Sequence, residues 1–163
     1  MDGSHSQSWQ IPIKEVHTFF THSAMVARVF IPPRSTTART RARTEALVRN
    51  IGPNLHALQG CLDARHDLDH FDERMDAVLE YPGGRFTEGT IIAQTEESLG
   101  KMLAGRTVLP MFIFLSKDRA IVTWSSRGQR RITPLDPIRR ELERLAGWHL
   151  RVLEARRRRD QEA

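Results

Sequence analysis

Cys61 is the chain's only cysteine, so no internal disulfide can form and the sequence suits a reducing compartment. One thiol cannot build a thiolate zinc site. Its place on the apolar side of a predicted helix reads as core packing rather than as a nucleophile. Lysine is nearly missing too: Lys14, Lys101 and Lys117 are all there is, so the formal charge of +5 rests on arginine. Aromatic residues are sparse, at 7%. Long apolar runs are absent as well. The best stretch, residues 24–31, is broken by Arg28 and stops at Pro32-Pro33, so no segment is expected to span a membrane. The N-terminus is polar, with no cationic start and no cleavage-site pattern, which predicts no signal peptide and a cytoplasmic protein.

What is present points to one modest core with heavily charged outer faces. The chain has 163 residues, 39% hydrophobic and 28% charged, enough for a single domain. Arginine is clustered twice: Arg34, Arg39, Arg41 and Arg43 in what reads as a basic loop, and Arg156, Arg157, Arg158 and Arg159 near the C-terminus. Guanidinium holds phosphate in paired hydrogen bonds better than ammonium does, so nucleic acid is a candidate partner. The terminal block would grip RNA backbone in a salt-dependent way, or it is a solvated helix end.

Periodicity predicts three long helices. Residues 1–8 read as loose. Apolar side chains recur at Val16, Phe19, Phe20, Ala27 and Phe30, a helical stripe ended by Pro32-Pro33. A short helix is expected over residues 44–50. A second long helix is expected from an Asn54 N-cap to about Tyr81, burying Leu55, Leu58, Leu62, Leu68, Phe71, Met75, Val78 and Leu79. Residues 87–106 read poorly, apart from a short helix over 95–104. Two β-rich runs, 108–115 and 120–124, predict a hairpin with Pro110 keeping the first strand at an edge. Asp136-Pro137 then starts a last helix, with Ile138, Leu142, Leu145, His149 and Val152 on one face. His149 and Trp148 read as packed residues, as does Trp124. The expected fold is mainly α, a helical bundle with a small β-hairpin before the C-terminal helix and a basic tail over 156–163.

The densest chemistry lies in the second long helix, in the run Arg65-His66-Asp67-Leu68-Asp69-His70-Phe71-Asp72-Glu73-Arg74. Arg65 could hold a phosphate, and His70 could move a proton near neutral pH. Five residues apart, they stand about 140° around a helix and about 7.5 Å along it. They would need something to complete a pocket, such as the same helix of a second protomer. An imidazole would then act as base on a ribose 2′-hydroxyl or as acid toward the departing 5′-oxygen, and Arg65 would neutralise the transition state, with no metal. Two other readings stay open. Arg65 and Asp69 are spaced for an i,i+4 ion pair, and such runs often only solvate a helix. His66 and His70 with Glu73 could instead bind a divalent metal, aided by His17 or His22.

Arg65-x-x-x-x-His70 resembles the motif of the HEPN superfamily, α-helical and often dimeric proteins that include metal-independent ribonucleases of toxin–antitoxin and phage-defence systems. More narrowly, residues 65–76 resemble a group of uncharacterised bacterial proteins with an R-N-x-x-E-H-F-D-E-R-L-D signature. The resemblance implies an endoribonuclease with Arg65 and His70 catalytic, His66 auxiliary in place of the usual polar residue, no cofactor, and a homodimer with an antitoxin or other protein partner. Many members of the superfamily are non-catalytic, so a silent helical dimer that binds nucleotide, RNA or protein is the alternative implied.

Overall fold

A computed structural model describes residues 13–70, 85–103, 108–125 and 129–162. Those residues form five helices and one four-stranded sheet. Helix α1 (Ile13–Phe30) carries Glu15 in its first turn and Arg28 in its last, the charge order the helix dipole favours. Its final bond, from the Ile31 N–H to the Ala27 carbonyl, directly precedes the proline pair that stops it.

Helix α2 (Ala38–Ile51) corrects the expected basic loop. Thr37 is extended, and its hydroxyl accepts from the Thr40 N–H at 3.2 Å, which starts the helix well before residue 44. Alanine and arginine are strong helix formers, so Arg39, Arg41 and Arg43 ride on an exposed helix surface and only Arg34 stays in the turn before it. Gly52 closes α2 in the left-handed region (φ 59°), where its N–H reaches the Val48 carbonyl at 2.9 Å.

Helix α3 (Leu55–Asp69) begins where expected, with the Asn54 side chain accepting from the Ala57 N–H. It ends sooner than the apolar pattern implied. His70 is its C-cap, with φ −102° and ψ 30°, so no unbroken helix runs from Asn54 to Tyr81. The expected core positions Phe71, Met75, Val78 and Leu79 lie outside the described residues. Ala57, Leu58, Cys61, Leu62, Ala64 and Leu68 are buried, while Leu55 is exposed.

The largest correction is the sheet. The expected hairpin is real: β2 (Val108–Leu115) pairs antiparallel with β3 (Ala120–Trp124). It forms the centre of a four-stranded sheet in the order β1-β2-β3-β4. Strand β1 (Arg85–Ala93) runs parallel to β2, and β4 (Arg130–Pro134) antiparallel to β3. Pro110 is therefore on an interior strand. It sits opposite Thr87, just before the β1–β2 register shifts, and the β2–β3 partners run over Ile113–Leu115, past Pro110. Helix α4 (Glu96–Leu103) links β1 to β2, close to the helix expected there. Its first turn is closed by Thr95 and Ser98, whose side chains accept from each other's backbone N–H groups.

Alternation along the strands sorts the core into two layers. Phe112 and Ile121 face α1, α3 and helix α5 (Leu135–Glu162) and join the larger cluster with Phe20, Leu58, Cys61, Ile138 and Leu145. Ile113, Leu115, Val122 and Trp124 face the other way and enclose Leu99 of α4. The chain is mainly helical, but a sheet is sandwiched between the helical layers where the sequence implied a plain bundle. Helix α5 starts at Leu135, one residue before the predicted cap, and Arg156, Arg157, Arg158 and Arg159 are helical rather than a tail. No described helix is long and apolar enough to cross a membrane.

Candidate functional site

The last turn of α3 leaves His66 and Asp69 exposed and Arg65 and His70 half-buried. Arg65 reaches forward one turn, its Nε 3.1 Å from Asp69 Oδ2, and its side chain is 41% exposed. The approach lacks hydrogen-bond alignment, since Arg65 Nε makes no hydrogen bond. It is a Coulombic contact rather than a directed one, and at this exposure such a pair contributes little to stability. This is the i,i+4 pairing that the spacing allowed.

Asp69 also binds His17, which the sequence offered to this site only as a further metal ligand beside His66 and His70. His17 of α1 puts Nε2 3.1 Å from Asp69 Oδ1, so the carboxylate stands between a guanidinium and an imidazole from two helices. Only the packing of α1 on α3 brings these residues, 52 apart in sequence, together. One residue on, the rings of His66 and His70 meet edge to face with centroids 4.4 Å apart. The His70 N–H donates to the His66 carbonyl at 3.2 Å, the helix's last such bond.

The metal reading finds no complete ligand set. Among the described residues no three His, Cys, Asp or Glu side chains are arranged to hold an ion, and Glu73 lies outside them. His22 lines a groove between α1 and α5, whereas His17 faces Asp69. Cys61 is fully buried, its thiol donates to the Ala57 carbonyl at 3.5 Å, and burial pushes its pKa up to about 11. A thiol held protonated in this way is a poor nucleophile.

Asp67, inside the same charged run, turns inward. It is fully buried, and its Oδ2 accepts from Thr123 Oγ1 at 2.8 Å and from Arg131 Nη1 at 2.9 Å. Oδ1 has no hydrogen-bond partner. This contact ties α3 to β3 and β4 and fixes the rotation of α3, so that Arg65 and Asp69, each about 160° from Asp67 around the helix, point away from the sheet. A second buried carboxylate, Glu141 of α5, accepts from the Asn54 N–H at 3.1 Å and from Arg144 at 2.7 and 3.0 Å. Arg144 also donates to the Ile51 and Gly52 carbonyls, each at 3.2 Å. The Arg144 hydrogen bond, with the Asn54 N–H in support, holds the Glu141 carboxyl below its ordinary value of 4.5 against the opposing effect of burial.

Two placements differ from expectation at the other side of the bundle. Phe19 is part exposed and His149 is exposed, and both line the α1–α5 groove instead of the core. Arg156, Arg157, Arg158 and Arg159 are all exposed. No family model matches the chain, nor does any curated protein or solved structure.

Proposed function

We propose that the exposed end of α3 is a phosphodiester-cleaving site and that the protein is a metal-independent endoribonuclease. The observation that carries this reading is a pair of neighbouring contacts at the end of α3: Arg65 and His17 meet on Asp69, and the rings of His66 and His70 meet beside them. Completion of the site, assigned from sequence to a second protomer, can come from His17 of the same chain. The resemblance of Arg65-x-x-x-x-His70 to the HEPN motif supports the same chemistry.

The reaction needs four events. His70 takes the proton of a ribose 2′-hydroxyl, and the 2′-oxygen attacks the adjacent phosphorus. The bond from phosphorus to the 5′-oxygen breaks, and a second imidazole, His66 or His17, returns a proton to that oxygen. Arg65, released from its weak contact with Asp69, neutralises charge on the equatorial oxygens. The products are a 2′,3′-cyclic phosphate and a 5′-hydroxyl. DNA has no 2′-hydroxyl and is inert. The arginines of α5 would add sequence-independent affinity that falls as salt rises.

The test is incubation of RNA with purified protein in EDTA. We expect cleavage leaving cyclic phosphate ends, lost by a factor of about 100 or more in His70→Ala, the scale of general acid–base catalysis. Undiminished activity in His70→Ala would overturn the mechanism.

A second reading follows from the Arg65–Asp69 contact itself, which occupies the phosphate-binding group in the free protein. It is a non-catalytic module that binds RNA, a nucleotide, or a protein partner such as an antitoxin. No cleavage by wild type, with RNA affinity reduced on neutralising Arg156, Arg157, Arg158 and Arg159, would favour that reading over the nuclease.

A further inference from the structure

We propose that α2 is a nucleic-acid-binding element whose outer arginines hold the phosphate backbone without reading its sequence. The inference goes beyond the ribonuclease reading and does not rest on it.

Charge is spread unevenly along this chain. Between Glu15 and Asp63 there is one acid, Glu45, against Arg28, Arg34, Arg39, Arg41, Arg43 and Arg49. That surplus of five equals the formal charge of the whole chain, +5, so all other residues together are neutral. Four of these arginines ride on α2, and Arg34 stands in the turn before it. All six are exposed.

Their surroundings differ from those of the other arginines. Arg65, Arg119, Arg130, Arg131, Arg139 and Arg144 each meet a carboxylate. Among the described residues no carboxylate reaches Arg28, Arg34, Arg39, Arg41, Arg43 or Arg49. Glu45 is spaced i,i+4 from both Arg41 and Arg49, yet it pairs with neither. The helix does not relieve them either. Its first turn holds Arg39 and Arg41 and no acid, at the end where the dipole disfavours cations. The end of α5 is a different surface, because Glu154, Asp160 and Glu162 stand among Arg151 and Arg156–Arg159. A charge run that merely solvates a helix mixes its signs in that way.

Thr44 marks the side of α2 that faces the protein: it is buried, and its hydroxyl donates to the Val29 carbonyl at 3.4 Å. Arg39 and Arg49 lie about 140° from Thr44 around the helix, and Arg43 about 100°. These three share an outward arc of about 120° and span about 15 Å of axis. Arg41 and Glu45 lie on one flank of that arc.

The chemistry of this face selects a chain of phosphates. Guanidinium meets phosphate in paired hydrogen bonds. Large apolar side chains are not exposed on α2, since Leu47, Val48 and Ile51 pack against the core. A membrane-surface helix needs an apolar face to sink into lipid. A protein interface needs apolar or aromatic anchors at its centre. A nucleic-acid backbone needs neither, and binding to it weakens steeply as salt rises.

The experiment is fluorescence anisotropy of the full chain with a labelled 2′-O-methyl RNA strand of about 20 nucleotides, between about 50 and 200 mM salt. That strand cannot be cut through a 2′-oxygen, so binding is read whether or not the protein is a nuclease. We expect Arg39→Gln/Arg43→Gln/Arg49→Gln to weaken binding about tenfold or more at low salt. The logarithmic salt slope should flatten by about 2, at roughly 0.7 per phosphate contact. The matched variant Arg156→Gln/Arg157→Gln/Arg158→Gln removes the same charge and should lose much less. Glutamine is nearly as good a helix former as arginine, so far-UV circular dichroism should match wild type in both. Equal losses in the two variants would reduce the effect to net charge and overturn the inference. Wild type that does not bind the strand would overturn it too. Displacement of the strand by polyglutamate as readily as by inorganic polyphosphate would also overturn it, in favour of an acidic protein partner.

Discussion

At the residue scale, the charged run of α3 divides into groups that hold the fold and groups that face solvent. Asp67 and Asp69 are two positions apart, about 200° around the helix, and this alone sends one into the core and the other out. Nothing in a string of acids and histidines marks which is which. The answer comes from β3 and β4, whose Thr123 and Arg131 await a carboxylate at one height on α3. Asp67→Ala would strip a buried hydroxyl and a part-buried guanidinium of their acceptor. We expect a loss of roughly 2 kcal/mol in urea unfolding, the scale of hydrogen bonds to a charged group. A change under about 0.5 kcal/mol would mean that the network is not stabilising. His17 was offered to this site only as a metal ligand, and its partnership with Asp69 was hidden because it needs α1 packed on α3 and has no signature in local spacing. The Arg65–Asp69 pair was legible, since i,i+4 spacing is intrinsic to the helix.

Among the elements, caps and breakers were readable and pairing was not. Pro32-Pro33, Asn54 and Gly52 act where they stand because each works through its own backbone. Strands β1 and β4 escaped notice for the opposite reason: a strand is fixed by its neighbour. Arg130–Pro134 carries two arginines and a proline, a weak strand pattern by itself, and is a strand because β3 pairs with it. The Glu141–Arg144 pair connects α5 to the α2–α3 turn and gives this junction a pH dependence. Its carboxyl pKa is lowered in the folded chain, so the folded state binds fewer protons there than the unfolded one. The contribution is complete above the ordinary value of 4.5 and fades as pH falls through the folded value. Below about pH 4.5 the melting temperature of wild type should therefore drop more steeply than that of Glu141→Gln. Parallel curves would show that the contact carries no linkage.

For the whole molecule, the mainly helical class was evident from periodicity, but the layering was not. Apolar strands that alternate between two helical layers look, in one dimension, like short uniform hydrophobic runs. The charged end of α3 was also evident as chemistry, yet its exposure depends on how Asp67 docks the helix to the sheet. Fold and candidate site thus meet at one point. The sheet holds α3 by a buried carboxylate, and the opposite face of its last turn carries Arg65 and Asp69 beside His17, with His66 and His70 on the flank. The apolar α1–α5 groove lies elsewhere on the molecule.

The most direct measurement uses an oligonucleotide with one ribose among 2′-O-methyl residues. Cleavage through an internal 2′-oxygen predicts a single cut, immediately 3′ to that ribose, in EDTA and only with His70 intact. Cutting at methylated positions, at no position, or equally well with His70→Ala would contradict the account.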